Sequence, residues 1–215
     1  GGPTGVELAG ALAEMKKEIL QKDYPDLDIS KMQINLIQSN DRVLNTMSEK
    51  SSIAAEKFLD NLGVKVWKNV RVTNYDGRTI STNTDLSIES LTVIWTAGVQ
   101  GAIVHGLDAK SLVERVERIR VNRFNQVNGY ENIFALGDIA SMETEKFPQG
   151  HPMMAQPAMQ QGSLLGDNFI KLSQNKPMKP FEYNDKGSMA TIGRNKAVVD
   201  LPKYHFSGFF AWVVW

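Results

Sequence analysis

The sequence contains no cysteine. That excludes a disulfide, a thiolate metal centre and a cysteine nucleophile within these residues. Histidine is almost as scarce: His105, His151 and His205 stand far apart, so no metal site is expected. Neither sign of charge is in excess, with 24 Lys and Arg against 24 Asp and Glu. No basic run and no interleaving of basic and aromatic residues occurs, so no nucleic-acid partner is expected. No signal peptide is expected within these residues. A spanning helix needs about 20 apolar residues, and the one strongly apolar stretch, at the end of the chain, is shorter. What is present is a 215-residue chain with 42% hydrophobic residues, enough for one large or two modest domains with a sizeable core.

The chain opens on Gly1-Gly2-Pro3-Thr4-Gly5-Val6-Glu7-Leu8-Ala9-Gly10. Gly2 and Gly5 read as the last two glycines of a G-x-G-x-x-G turn, the first lying upstream of residue 1. Such a turn lets backbone N–H groups approach a pyrophosphate, and the following helix points its positive end at the same anion. Leu8, Leu12, Met15 and Ile19 form one apolar stripe, predicting a helix to about Gln21 or Lys22. Glu7 is read as a first-turn acid beside the phosphate turn, where its charge faces a bound cofactor.

Residues 32–38 read as a strand ending on Gln38, at the position that meets the adenosine ribose in a dinucleotide-binding unit. Gln38 can bond a hydroxyl but carries no charge to repel a 2′-phosphate, so NADPH stands beside NADH. Ser48 caps a second helix that buries Ala55, Phe58, Leu59 and Leu62 and stops at Gly63. Strands follow at 64–67 and 70–75, with Asp76-Gly77 as a hairpin turn. Leu91–Thr96 reads as a buried parallel strand. Short strands are expected near 119–122 and before Gly137-Asp138, an acid freed at a strand end. Pro157 suits the first turn of a helix whose packed face is Ala158, Gly162, Leu165 and Phe169, with Met153, Met154 and Met159 as core fillers. Gln156, Gln160 and Gln161 form an uncharged amide cluster at its start. His151 is a proton relay or a surface or packed residue. Residues 188–192 and 196–201 form a hairpin, and the aromatic stretch 206–215 is a core helix or the start of a membrane-surface segment.

Four stretches in this order carry a resemblance: the glycine-rich opening, Trp95-Thr96-Ala97-Gly98-Val99, Ala135-Leu136-Gly137-Asp138 and Ala155-Gln156-Pro157-Ala158-Met159-Gln160. Together they resemble the type II NADH dehydrogenases, single-subunit NADH:quinone oxidoreductases with FAD. The first three are shared with the wider flavoprotein superfamily; the last, with the aromatic tail, is more specific. The resemblance implies an α/β fold with two Rossmann-like dinucleotide-binding domains. Residues 1–97 would be the NAD(P)H domain without its first strand, 98–187 the second part of the FAD domain, and 188–215 a hairpin and the start of a membrane-associating tail. It implies Gly2, Pro3, Thr4, Gly5 and Gln38 at NADH, Glu7 beside nicotinamide and flavin, and Ala97 and Gly98 where the chain leaves the NADH domain. Gly137, Asp138, Ala155, Gln156 and Pro157 would meet FAD, and Gln160 and Gln161 the quinone pocket, with Lys196 a weaker candidate at its rim. Gln38 departs from the family's usual acid.

The implied activity is hydride transfer from NADH to FAD and two electrons onward to a membrane quinone, without ion pumping. The implied location is peripheral, on the cytoplasmic face of the inner (plasma) membrane, and the resemblance admits a homodimer. The chain reads as a fragment, inactive alone. Two alternatives stay open: a soluble NAD(P)H-dependent flavin or disulfide reductase, and a nucleotide-binding fragment without catalysis. The aromatic tail argues against the first.

Overall fold

The structure, a computed structural model, describes residues 1–102, 104–113 and 116–215. These divide into two compact units. One comprises Gly1–Ala97 together with Gly187–Trp215, the other Gly98–Lys186.

In the first unit, α1 (Pro3–Glu14) continues through a π-helical segment, Met15–Leu20, into α2 (Gln21–Asp23). The stripe of Leu8, Leu12, Met15 and Ile19 is not its buried face: Ile19 is half exposed, and the buried residues are Gly5, Val6, Ala9, Gly10 and Ala13. The reason is close approach. A Cβ on Gly5 would lie 2.9 Å from Thr96 Oγ1, and one on Gly10 would lie 2.7 Å from the Gly193 backbone N. Small residues bring two backbones together where leucines would hold them apart.

Behind α1, β1 (Ile34–Ile37) pairs in parallel with β2 (Val64–Trp67). Between them runs α3 (Glu49–Asn61), capped by Ser48, whose Oγ accepts the Ser51 N–H, and closed by Gly63 at φ +78°. Such a cap contributes about 1 kcal/mol. β3 (Val72–Tyr75), β4 (Thr79–Thr82) and β5 (Ser87–Glu89) form an antiparallel meander, its first turn held by Asp76 Oδ1 accepting the Arg78 and Thr79 N–H groups.

The buried parallel strand expected at Leu91–Thr96 is not formed. Leu91 is 83% and Trp95 66% exposed, and the segment joins no ladder. A parallel strand exists only against a neighbour. A groove of about 980 Å³ lies between this segment and β1, lined also by Gly5, Leu8 and Leu12.

Residues 188–215, set apart in the sequence as hairpin and tail, pack with Gly187 within this first unit. β9 (Ser188–Thr191) and β10 (Ala197–Asp200) form the expected hairpin, and β11 (His205–Gly208) adds an antiparallel strand that the aromatic composition conceals. Ala190, Ile192 and Val198 join the core with Val6, Ala9, Ala13, Leu36, Leu59 and Val64. The Asp200 carboxylate closes the arrangement, accepting from the Ser48 N–H (2.5 Å), Ser48 Oγ (2.9 Å) and Ser51 Oγ (2.6 Å). A short helix, α5 (Phe209–Val214), follows.

In the second unit β6 (Leu112–Val113), β7 (Arg118–Arg120) and β8 (Ala140–Ser141) form a small sheet with Ile119, Val121, Val127, Ala140, Met142 and Phe181 in its core. α4 (Ala155–Ser173) buries Pro157, Gln161, Leu165 and Asn168. This face is turned from the expected one: Phe169 is 46% exposed, and Met154 and Met159 are exposed rather than filling the core. Two of the four inward positions are amides with fixed partners. Asn168 pairs with both the N–H and C=O of Lys179, at 2.8 and 2.9 Å. In place of a strand before Gly137, residues 132–136 contribute a single bridge, Gln126 to Phe134.

Candidate functional site

The start of α1 is a helix end without a side-chain cap. Gly2 is the N-cap residue, and the backbone N–H groups of Thr4 and Gly5 find no acceptor among the described residues. Pro3, at the first helical position, has no N–H to satisfy. A Cβ placed on Gly2 would meet nothing within 4 Å, so this face is open. Unpaired amides on an open glycine face, at the positive end of a helix, suit a diphosphate. Gly2 thus leaves its face open, while Gly5 permits close packing against Thr96 and Leu36.

Gln38, the residue after β1, lies against this turn. A Cβ on Gly1 would fall 2.7 Å from Gln38 Cβ. The Gly1 C=O accepts the Leu44 N–H at 2.8 Å, and Gln38 Nε2 donates to the Arg42 C=O at 3.1 Å. The structure thus brings the glycine turn and the end of β1 together.

Glu7 is the fifth residue of α1, one turn beyond the first, because the helix begins only at Pro3. Its Oε1 accepts the Thr191 N–H at 3.3 Å. Glu14, two turns on, accepts the Arg194 N–H. Both acids are thus anchored to the β9–β10 hairpin. Lys196 on that hairpin sits 5.4 Å above the Phe58 ring. Ala97 accepts the Trp95 indole N–H at 2.7 Å, and Gly98 has φ +79°, a conformation that favours glycine.

In the second unit the turn Gly137–Ile139 is a single 3₁₀ turn at the edge of β8. Gly137 has φ +73°, and its N–H donates to Gln161 Oε1 at 2.7 Å. Gln161 is 1% exposed, so it holds the Gly137-Asp138 turn from behind. Gln160 is also engaged: its amide donates to the Asn184 C=O (2.9 Å) and accepts the Asn184 N–H (3.0 Å). Gln156 Oε1 accepts the Lys186 N–H at 3.2 Å. Ala155 and Pro157 stand in the first turn of α4, Ala155 exposed and Pro157 buried.

Sequence reasoning gave no weight to Arg118. It is 5% exposed, and its guanidinium donates to the carbonyls of Ala140 and His151, while among the described residues Nε has no partner. Burial lowers its pKa, and the Asp138 charge opposes that shift. His151, 3% exposed, is a packed residue, with Phe147, Phe181 and Tyr183 rings 4.8, 5.4 and 5.7 Å away. Burial first, then the Arg118 charge, hold its pKa below 6.5, and among the described residues its Nδ1 has no partner. Alternation places Arg118 and Arg120 on one face of β7, so the strand pattern carried no signal that Arg118 alone is buried.

Among the described residues, no group of three His, Cys, Asp or Glu side chains could hold a metal, and no helix is long and apolar enough to cross a membrane.

The uncapped glycine start of α1 lies beside Gln38, the residue that follows β1. The family described as pyridine nucleotide-disulphide oxidoreductase matches residues 1–162, and the chain belongs to it. Within that family it is homologous to the type II NADH:quinone oxidoreductases. It is 36% identical to Ndh of Mycobacterium tuberculosis over 224 residues, covering 100% of this chain and 47% of that protein. It is 29% identical to the Haemophilus influenzae type II NADH:quinone oxidoreductase, covering 94% of this chain and 45% of that protein. The chain thus spans about half the length of these curated relatives. The fold is that of NDH2 from Plasmodium falciparum, solved in complex with NADH: TM-score 0.85, 19% identity, covering 99% of this chain and 59% of that one.

Proposed function

We propose that the intact protein is a type II NADH:quinone oxidoreductase, with FAD as its resident cofactor. The observation that carries this is the open, uncapped glycine start of α1 beside Gln38, in a chain homologous to such enzymes. Bound FAD supplies acceptance of a hydride from NADH and delivery of two electrons to a quinone, with no ions pumped. The chain's own residues bind and orient. Gly2, Pro3, Thr4 and Gly5 hold the diphosphate of NADH through backbone, and Gln38 meets the adenosine ribose. Glu7, fixed by the Thr191 N–H, presents a carboxylate one turn into the helix and balances charge beside the nicotinamide. Asp138 accepts hydrogen bonds from the ribityl end of FAD, held there by Gln161 through Gly137 and balanced by Arg118. Backbone at Ala155, Gln156 and Pro157 faces the flavin ring. Gln160 flanks the quinone, and Ala97-Gly98 is where the chain leaves the nucleotide domain.

The residues present fit both groups in chemistry: unpaired amides for a diphosphate, an exposed acid at a positive-φ glycine turn for hydroxyls. Phe209, Phe210, Val213, Val214 and Trp215, all more than half exposed, suit a membrane interface and bring the protein to its quinone from the cytoplasmic face. This half alone does not turn over.

The test is NADH oxidation by the intact, FAD-loaded protein with a soluble quinone; no turnover refutes the reading. Glu7→Gln lowers the rate of electron transfer by more than it weakens NADH binding. An unchanged rate removes Glu7 from the chemistry.

A further inference from the structure

Arg118 is a buried cation with no carboxylate in contact. Arg120, on the same face of β7, pairs with Glu143 at 2.8 Å. Arg118 has only the main-chain carbonyls of Ala140 and His151, and among the described residues it makes no ion pair. A buried charge is costly unless an opposite charge answers it. The fold nevertheless keeps room for this one. Gly150 has φ +83°, and a Cβ there would stand 3.2 Å from Arg118 Nη1 and 2.8 Å from Ser141 Oγ. The buried His151 ring adds no second charge, because burial and the Arg118 charge both favour its neutral form. One positive charge is enclosed, and the acid that acts on it is Asp138, exposed at the turn before β8.

We propose that Arg118 is a positioning residue for FAD: a buried counter-charge that lets Asp138 stand ionised beside an anionic cofactor. This rests on the assignment of Asp138 to the ribityl end of FAD. FAD carries a diphosphate, so a carboxylate near it accepts hydroxyl hydrogen bonds and also repels the ligand. An arginine in direct contact would occupy the carboxylate oxygens. A cation set behind the acid offsets the repulsion and leaves those oxygens to the hydroxyls. Its field acts through protein rather than water, where it is screened less. The two carbonyl bonds serve the same end. They tie the strand that follows Asp138 to the segment that enters α4, so the acid and the start of that helix are fixed by one guanidinium.

The experiment strips FAD from the intact protein and titrates it back, following flavin fluorescence. Arg118→Gln keeps a side-chain donor and loses the charge; Arg118→Lys keeps the charge. Arg118→Gln is expected to weaken FAD binding about tenfold, and Arg118→Lys less than about threefold. In an Asp138→Asn background, where there is no acid to offset, Arg118→Gln should cost less than about threefold further. A purely structural arginine would give equal losses in Gln and Lys and the same loss in both backgrounds. Either of those results, or wild-type affinity in Arg118→Gln, overturns this inference and leaves the cofactor assignment standing. If Arg118→Gln fails to fold, Arg118→Lys decides alone: a tenfold loss of affinity there overturns the inference. A wild-type protein that binds no FAD overturns the cofactor assignment with it.

Discussion

Gly10 lies on the buried face of α1, where the helix meets the turn of the β9–β10 hairpin. A Cβ at this position would stand 2.7 Å from the Gly193 N, 3.1 Å from the Ile192 carbonyl carbon and 3.3 Å from Ile192 Cα. All three are backbone atoms, so no side chain can swing aside; helix and hairpin must separate by several tenths of an ångström. Overpacking of this kind costs about 1–3 kcal/mol. Gly10→Ala also gains about 1 kcal/mol of helix propensity. The clash should sit at the upper end of its range, because Gly193 is at φ +69° and already limited in how it can shift. The expected net loss is about 1–2 kcal/mol, which lowers Tm by about 2–8 °C in a chain of this size. The assay is urea and thermal unfolding of the intact protein. Gly166→Ala, on α4 with nothing within 4 Å of its Cβ, serves as the control and should gain up to about 1 kcal/mol. A Gly10→Ala midpoint at or above wild type refutes the packing argument.

Two further outcomes concern charge. Burial raises the Asp200 pKa, but hydrogen bonds from Ser51 and Ser48 outweigh it and hold the carboxyl below 3.8. A lowered carboxyl stabilises the fold above its unfolded pKa and loses that contribution as pH falls through the folded value. Asp200→Asn should therefore cost about 1.5–3 kcal/mol at neutral pH, with the gap to wild type closing as pH falls below about 4; a gap that stays constant into acid counts against it. His151 is held below 6.5 in the fold, so the folded state resists the proton that the unfolded chain accepts. Stability should fall as pH drops below about 6.5, by at most about 1.4 kcal/mol per pH unit, and His151→Phe should remove that slope. Identical slopes in denaturant titrations from pH 7 to pH 5 exclude this role.

Local chemistry made much of the fold legible. Ser48 before an apolar-periodic run, Gly63 after it, Asp76-Gly77 between strands and Gly193-Arg194-Asn195 in the last hairpin each declare a cap or turn through their own backbone needs. Legibility failed where a partner decides. Leu91–Thr96 has the composition of a buried strand, yet strand formation depends on a neighbour that β1 does not supply across the groove. The leucine stripe of α1 outweighed its small residues, because hydrophobicity counts methyl groups and not how closely two backbones can approach. Gln160 and Gln161 were legible as an unusual amide cluster, but not as amides committed to Asn184 and Gly137; those bonds span 24 residues and leave no mark on local sequence. Gln161 lies on the inward face with Pro157 and Leu165, and that spacing was the available signal.

The same helix joins the packing and the proposed chemistry. Its N-terminal end keeps open the amides that suit a diphosphate, and the small residues behind that end bring the β9–β10 hairpin within reach of its carboxylates. Thr191 N–H fixes Glu7, and Arg194 N–H fixes Glu14, so both acids take their positions from a strand pair more than 170 residues away in sequence. Gly10 lies between these two anchors, on the line where the hairpin backbone meets the helix. A methyl group there would push the Thr191 N–H from the Glu7 carboxylate as well as strain the core. A carboxylate released from a fixed donor becomes free to turn and to gather water, and its charge is then less effective at any one point. The glycine that makes this helix thin is therefore also what holds its acid in place.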